Sequence, residues 1–377
     1  MRDFEAYMKE ALPETAALLK ELCLIPAPSH HEERRAEFCK KWLEAAGAEG
    51  VYIDEALNVI YPMNCEGKDD IVVFCAHTDT VFPEETPLLW HEDEENYYCP
   101  AVGDDTCCLV QMMMAVKYIL SRGIQPKTGV LFVCNSCEEG LGNLKGTRQI
   151  FKDFAGRIKC FYTFDGGYRK VTNRCVGSHR YRVECRTEGG HSFGAFGNRN
   201  AITALAALIT DLTTVEVPQK EGCKTTYNVG TISGGTSVNT IAQYAEMLCE
   251  YRSDDAACLA DMKRQFEERF AAAKAAGKGD FTVTLVGERP CGGEIDRELH
   301  AQMTARVQEL SQKHSGLPCH ANSGSTDCNI PMSLGVPAVC VGTHLGGGAH
   351  TREERVQKDS VLPGLLIVTE LILDYFN

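Results

Sequence analysis

"VLFVCNSCEEGLG", residues 130–142, decides the fold and poses the functional question. An unbroken apolar run of this length is the pattern of a strand buried on both faces. It ends in two adjacent carboxylates, Glu138 and Glu139, and charge beside a core is costly unless it is paired or bound to a metal. Along extended backbone, neighbouring side chains point to opposite sides. The two acids can therefore take different partners, one serving as a ligand and the other as a base.

Two further runs have the same character, "IVVFCAH" (71–77) and "KCFYTFD" (159–165), and a helical stretch, "LVQMMMAVKYILSRG" (109–123), lies between the first two strands. Its three methionines are simplest as core filling. Apolar strands alternating with helices predict an α/β fold with a mostly parallel sheet covered by helices on both faces. Near the start, "PAPSHHEERRAEFCKKWLEAAG" places Ser29 and Glu32 at capping-box spacing ahead of a helix, with Gly47 as its stop.

From about residue 176 the pattern changes. "SHRYRVECRTEG" alternates as a half-exposed strand, "NAITALAALITDL" is helical, and "CKTTYNVGTISGG" and "AQYAEMLCEYRS" alternate again. A long amphipathic helix, "ACLADMKRQFEERFAAAKAAG", and the strand "DFTVTLVGERP" complete the set. The order βαββαβ is a ferredoxin-like α+β unit. Sheet-type sequence resumes at "GVPAVCVGTH" (335–344), so the unit is inserted. The expected domains are 1–175 with 289–377, and 176–288.

The net charge of −14 over 377 residues argues against a nucleic-acid partner, which would want a basic face. No membrane span is predicted, because "LLIVTELILDYF" (365–376) carries Glu370 and Asp374 and has the pattern of an amphipathic terminal helix. "MRDFEAYMKE" has charges where a secretory leader needs an apolar stretch, so a cytoplasmic protein is expected. The nineteen cysteines are then expected as free thiols, Cys134 and Cys137 of the lone CxxC included.

Potential ligands collect at the strand ends: His77 and Asp79, then Glu138 and Glu139, then Asp165. "AVGDDT" adds Asp104 and Asp105, and "GGGAHT" adds His350. Open α/β sheets bind ligands outside the carboxyl ends of their strands, so these groups should converge. Singly, each has a bland reading: a hydrogen-bonded structural histidine, or an aspartate capping a helix. Together, two histidines and several carboxylates form a mixed N/O set suited to borderline divalent metals, zinc foremost. Two metals would need about this many ligands with one carboxylate bridging. A rival lies in glycines 140, 142 and 146, but their spacing is one residue off the dinucleotide fingerprint, and two glutamates before it would repel pyrophosphate.

The motifs "LIPAPS", "AHTDTVFP", "GDDT", "EEGLG", "DGG", "GGHSFGAFGNRNAI", "GTISGGTSVNTI", "EYRS", "SGSTDCN" and "GGGAHTREE" run in order along essentially the whole chain. In this the sequence resembles the di-zinc peptidases and amidohydrolases that include peptidase T, glutamate carboxypeptidase, aminoacylase, carnosinase and succinyl-diaminopimelate desuccinylase. The resemblance implies two zinc ions, with cobalt or manganese as substitutes. It assigns Asp104 as the bridging carboxylate, His77 and Asp165 to one metal, Glu139 and His350 to the other. Asp79 would orient His77, and Glu138 would be the general base that deprotonates the bridging water. It makes the inserted domain a lid and dimerisation element, whose His191 stabilises the oxyanion in the partner subunit's site and whose Asn239 and Arg252 bind substrate. The implied activity is cleavage of an amide bond in a small peptide, with exo-, di- or tripeptidase action favoured. N-acyl amino acid deacylation is the alternative within the family, and a peptide-binding relative without metals the alternative outside catalysis. Thr106 departs from the lysine that many relatives carry after the paired aspartates, which bears on subfamily.

Overall fold

The computed structural model describes residues 3–377. They fall into two compact units, one formed by the residues up to Cys175 with Gly293–Asn377, the other by Val176–Gly292. In the first unit six strands of the large sheet precede the insertion: β1 (Tyr52–Ile53), β2 (Val59–Met63), β3 (Ile71–His77), β4 (Val130–Asn135), β5 (Ile158–Phe164) and β6 (Lys170–Cys175). The second unit holds β7 (Gly177–Arg186), β8 (Thr225–Gly234), β9 (Tyr244–Ser253) and β10 (Asp280–Arg289). Two more strands of the large sheet follow, β11 (His320–Gly324) and β12 (Ala338–Val341).

The large sheet has the order β1-β2-β4-β3-β5-β12-β6-β11. Its centre, β4-β3-β5-β12, is parallel throughout, and antiparallel pairings enter only toward the edges. Alternation explains the unbroken apolar runs, because each central strand feeds two cores. Val72, Phe74 and Ala76 of β3 join Phe132 and Tyr162 in one; Ile71, Val73 and Cys75 join Leu131, Val133 and Phe161 in the other. Phe74 stacks on Phe132, Tyr162 and Phe164 at centroid distances of 5.8, 5.3 and 6.1 Å, which ties three neighbouring strands into one aromatic layer. The helix Cys108–Arg122 is buried along most of its length, Met112, Met113 and Met114 among its core residues, and stops at Gly123, whose φ of 62° is the left-handed end that glycine favours.

The C-terminal helix Lys358–Leu373 differs from its amphipathic expectation. Glu370 is buried, and its carboxylate accepts from Lys313 Nζ at 2.6 Å and His314 Nε2 at 2.7 Å. The acid belongs to the packing of this helix against Arg297–Ser315, not to a solvated face. Among the described residues no helix is long and apolar enough to cross a membrane. All nineteen cysteines are free, and only Cys223 is not buried.

The second unit is an antiparallel sheet ordered β8-β9-β7-β10 with the helices Ala201–Leu212 and Ala256–Ala275. That is the βαββαβ order. Ala245, Met247, Cys249 and Tyr251 of β9 alternate into a core with Leu205, Leu208 and Phe266, leaving one face solvated. Both helices start on an acceptor side chain: Asn200 takes the amides of Ile202 and Thr203, and Asp255 takes that of Cys258. β8 is an edge strand.

Candidate metal centre

β3, β4 and β5 end side by side, and the chain beyond each end is where the polar residues begin. β3 ends on His77 itself, Glu138 and Glu139 follow β4, and Asp165 follows β5 directly. His77 Nδ1 lies 3.0 Å from the Asp79 carbonyl oxygen and 3.4 Å from Asp79 Oδ1. Those acceptors assign the ring proton to Nδ1 and leave Nε2 free to face outward, 3.1 Å from Asp104 Oδ1. The other oxygen of Asp104 stands 3.1 Å from His350 Nε2, and the same nitrogen is 3.1 Å from Glu139 Oε1.

Ligand-type atoms of His77, Asp104 and Glu139 lie within 4.8 Å of one another, as do those of His77, Asp105 and Asp165. The structure thus gathers His77, Asp104, Glu139, Asp165 and His350. It also brings in Asp105, whose Oδ2 accepts from the His77 amide at 2.9 Å while its buried Oδ1 has no partner among the described residues. The electrostatics are those of a pocket that draws positive charge. Burial, and next the charge of Asp104, push Asp165 up to about 7. Hydrogen bonds to Asp104 and Glu139 push His350 up to about 10. Burial works against ionising Asp104, yet His350 and His77 together hold it well below the usual carboxylate range. Crowded carboxylates and outward ring nitrogens are a donor set that fits divalent cations.

Asp79 organises the centre without facing it. One carboxylate oxygen takes the Glu138 amide at 2.9 Å and the other the Glu139 amide at 3.0 Å. The side chain is fully buried, and it fixes the turn that carries both glutamates while it orients His77. His350 has φ of 65°, a left-handed conformation uncommon outside glycine, in a turn after Gly346, Gly347 and Gly348.

Two sets of contributors lay outside the sequence reading, the first being Ser29 with Glu32. Ser29 is not a cap: its Oγ donates to Asp79 Oδ2 at 2.6 Å, and the helix Glu33–Ala45 begins without a side-chain cap. Glu32, the other half of the expected box, accepts from the amides of His30 (3.1 Å) and Cys137 (3.0 Å), so both residues brace the loops of the centre. The signal was in "LIPAPS", whose position among the ordered motifs outweighs its local spacing. Glu354 is the second. Its buried carboxylate accepts from the amides of Ala101, Gly103 and Asp104 at 3.0, 2.8 and 2.7 Å, which holds the loop that presents Asp104. Burial pushes it up to about 7. Thr106 is buried, its Oγ1 accepting from the fully buried Arg35 at 3.2 Å.

The remaining expected residues belong to the second unit. His191 pairs with Thr240 across a short antiparallel ribbon, and the Asn239 carbonyl accepts from the Ser192 amide at 2.9 Å, so His191 and Asn239 are neighbours. Arg252 is elsewhere, on β9. Its Nε and Nη2 donate to the two oxygens of Glu250 at 2.7 and 3.1 Å, so its fork is already engaged.

Comparison with known proteins extends over the whole chain. It is 25% identical over 326 residues to succinyl-diaminopimelate desuccinylase of Paracoccus denitrificans, covering 80% of this chain and 82% of that protein. Among solved structures, a tripeptidase from Staphylococcus aureus superposes with a TM-score of 0.72 at 22% identity, over 96% of this chain and 98% of that one. The di-peptidase Dug1p from Saccharomyces cerevisiae gives a TM-score of 0.76 at 14% identity, over 99% and 98%. At such identities the structural likeness establishes the mixed α/β fold alone. The sequence itself goes further: residues 73–374 match the model of Peptidase family M20/M25/M40, and the chain belongs to that family of hydrolases.

Proposed function

We propose that the protein binds two zinc ions and cleaves an amide bond of a small peptide, acting as an exo-, di- or tripeptidase. The observation that carries this is the Asp79 carboxylate, which takes the amides of both Glu138 and Glu139 and so holds two adjacent acids for two tasks. Glu139 faces His350 and belongs with His77 and Asp104; these residues, with Asp165, would hold the metals. Bound divalent cations supply a Lewis acid that polarises a carbonyl and eases the ionisation of water. Glu138 is then the base: it takes a proton from the attacking water and returns it to the leaving amine nitrogen. Asp79 keeps the His77 proton on Nδ1 throughout.

Removal of an N-acyl group from an amino acid is a second reading, supported by the similarity to the Paracoccus desuccinylase. His191, Asn239 and Arg252 are proposed to bind substrate, and residues 176–288 to act as a lid through which the chain forms a homodimer. Supporting the dimer, β8 is an open edge, and Phe193, Phe196, Ile232 and Val238 are exposed on this unit. The deciding experiment pairs metal analysis with a panel of tripeptides, dipeptides and N-acyl amino acids, before and after chelation. About two zinc per chain and chelator-sensitive hydrolysis are expected. Protein that binds no divalent metal and hydrolyses nothing in the panel would overturn the reading.

A further inference from the structure

The loops that follow β5 and β12 bound a cleft of about 310 Å³ on the side of the centre that holds Asp104 and Asp165. Its wall also carries three cations, Arg169, Lys170 and Arg355. In a chain of net charge −14 such a grouping runs against the average. Several other arginines meet acids: Arg122 meets Asp3, Arg199 meets Glu188 and Asp280, Arg306 meets Asp374, and Arg252 meets Glu250. Among the described residues, the side chains of Arg169, Lys170 and Arg355 make no hydrogen bond or ion pair with protein.

These cations are mounted on tightly packed backbone. A Cβ on Gly342 would come within 1.9 Å of the Gly167 carbonyl oxygen, so the two loops meet where no side chain fits. The Arg169 carbonyl accepts from the His320 amide at 3.0 Å, and the Lys170 amide donates to Gly167 at 3.1 Å. Arg355 is paired with Gly347 and Tyr98 in a short antiparallel ribbon, and a Cβ on Gly347 would already stand 3.4 Å from its guanidinium. Fixed backbone, bare glycines and unpaired planar forks form a surface for a planar anion. Such an anion would otherwise be repelled by the carboxylates next to it.

We propose that this cleft is an anion subsite that takes a carboxylate of the substrate, either an acidic side chain or a free C-terminus, and that the preferred substrates carry that group. The proposal rests on the hydrolase reading above. Two charge-assisted hydrogen bonds set the expected preference at about tenfold or more in kcat/KM. The test uses metal-replete protein and matched substrates, glutamyl against glutaminyl peptides and free against amidated C-termini, in wild type and in the Arg169→Ala/Arg355→Ala double variant. The wild type should favour the carboxylate member of one series, which tells side chain from C-terminus, and the double variant should bring that ratio close to one. Equal kcat/KM within both series in wild type, or a preference that survives the double substitution, would overturn the subsite. Calorimetric titration with glutarate separates this from failure of the hydrolase reading, since it needs no turnover. Wild type should bind glutarate about tenfold more tightly than the double variant, and equal binding would sink the subsite even in an active enzyme. Both arginines are exposed, so an unchanged melting temperature checks that the variant is folded.

Discussion

His77 is 1% exposed, with both ring nitrogens against carboxylate-bearing neighbours. His191 is exposed, and its Nδ1 accepts only from the amides of its own turn, Phe193 at 3.3 Å and Gly194 at 3.2 Å. The two histidines belong to two ways of presenting a polar side chain. In the first unit parallel strands end in register, and residues distant in sequence are driven together because the strands between them are buried. In the second unit the ribbon also joins distant residues, Gly190–His191 with Thr240–Ile241, but the side chains are held locally, His191 by the amides of its own turn and Arg252 by Glu250 two residues away. Preorganised groups suit chemistry that needs fixed geometry. Locally held groups on an exposed surface suit adjustment to a ligand or a partner.

The sharpest way to break this contrast is at the adjacent acids. Glu138→Gln should lower kcat by about 10²- to 10⁴-fold, the usual worth of a general base, with metal content unchanged. Glu139→Gln should instead cost metal occupancy. A reversed outcome in metal analysis would mean the roles are exchanged. Next in size is His191→Ala, expected to reduce kcat by about 10²-fold as for a lost oxyanion donor, while the melting temperature stays put because nothing buried is removed. Mixed with Glu138→Gln under subunit exchange, it should regain activity, since each inactive chain supplies what the other lacks. Verified exchange without recovery would return His191 to a local structural role.

The smallest effect concerns stability. Asp255 caps the helix Ala256–Ala275, and Asp255→Ala should destabilise the second unit by about 1 kcal/mol. The ion pair with Lys220, and then the Cys258 amide, hold its carboxyl down at about 2. A depressed acid stabilises the fold above its unfolded pKa of about 4, and that contribution fades as pH falls toward the folded value. The difference in melting temperature between wild type and Asp255→Ala should therefore be full at neutral pH and shrink between about pH 4 and pH 2. A gap that persists at the acid end would mean that packing, not the cap, is lost.

Much of the first unit was legible in sequence because burial on both faces leaves a continuous apolar trace, and its interruption at His77, Glu138 and Asp165 marks the strand ends. The alternation of β7 and β9 made the inserted sheet readable in the same way. What escaped depends on where chains meet. Nothing local distinguishes Ser29 as a partner of Asp79 from Ser29 as a helix cap, since the hydroxyl and the spacing are the same; the choice is made by β3 arriving beside it. Glu370 misled for the same reason. A lone acid in an apolar helix takes a solvated position unless partners from another helix reach it, and the cations Lys313 and Arg306 and the imidazole of His314 do. Glu354 stood within a recognised motif, but only the fold shows its carboxylate under the loop of Asp104.

The burial of the cysteines turns the chain into its own reporter of opening. Fourteen thiols lie in the first unit and five in the second, and of all of these only Cys223, in the second, has appreciable access to solvent. Under native conditions an alkylating reagent should therefore modify one position quickly, which provides a label without engineering. In rising denaturant the others become reactive only as their surroundings open. Mass spectrometry that counts modified cysteines by position would then tell whether the inserted unit, with its four buried thiols, melts before the sheet that carries the rest.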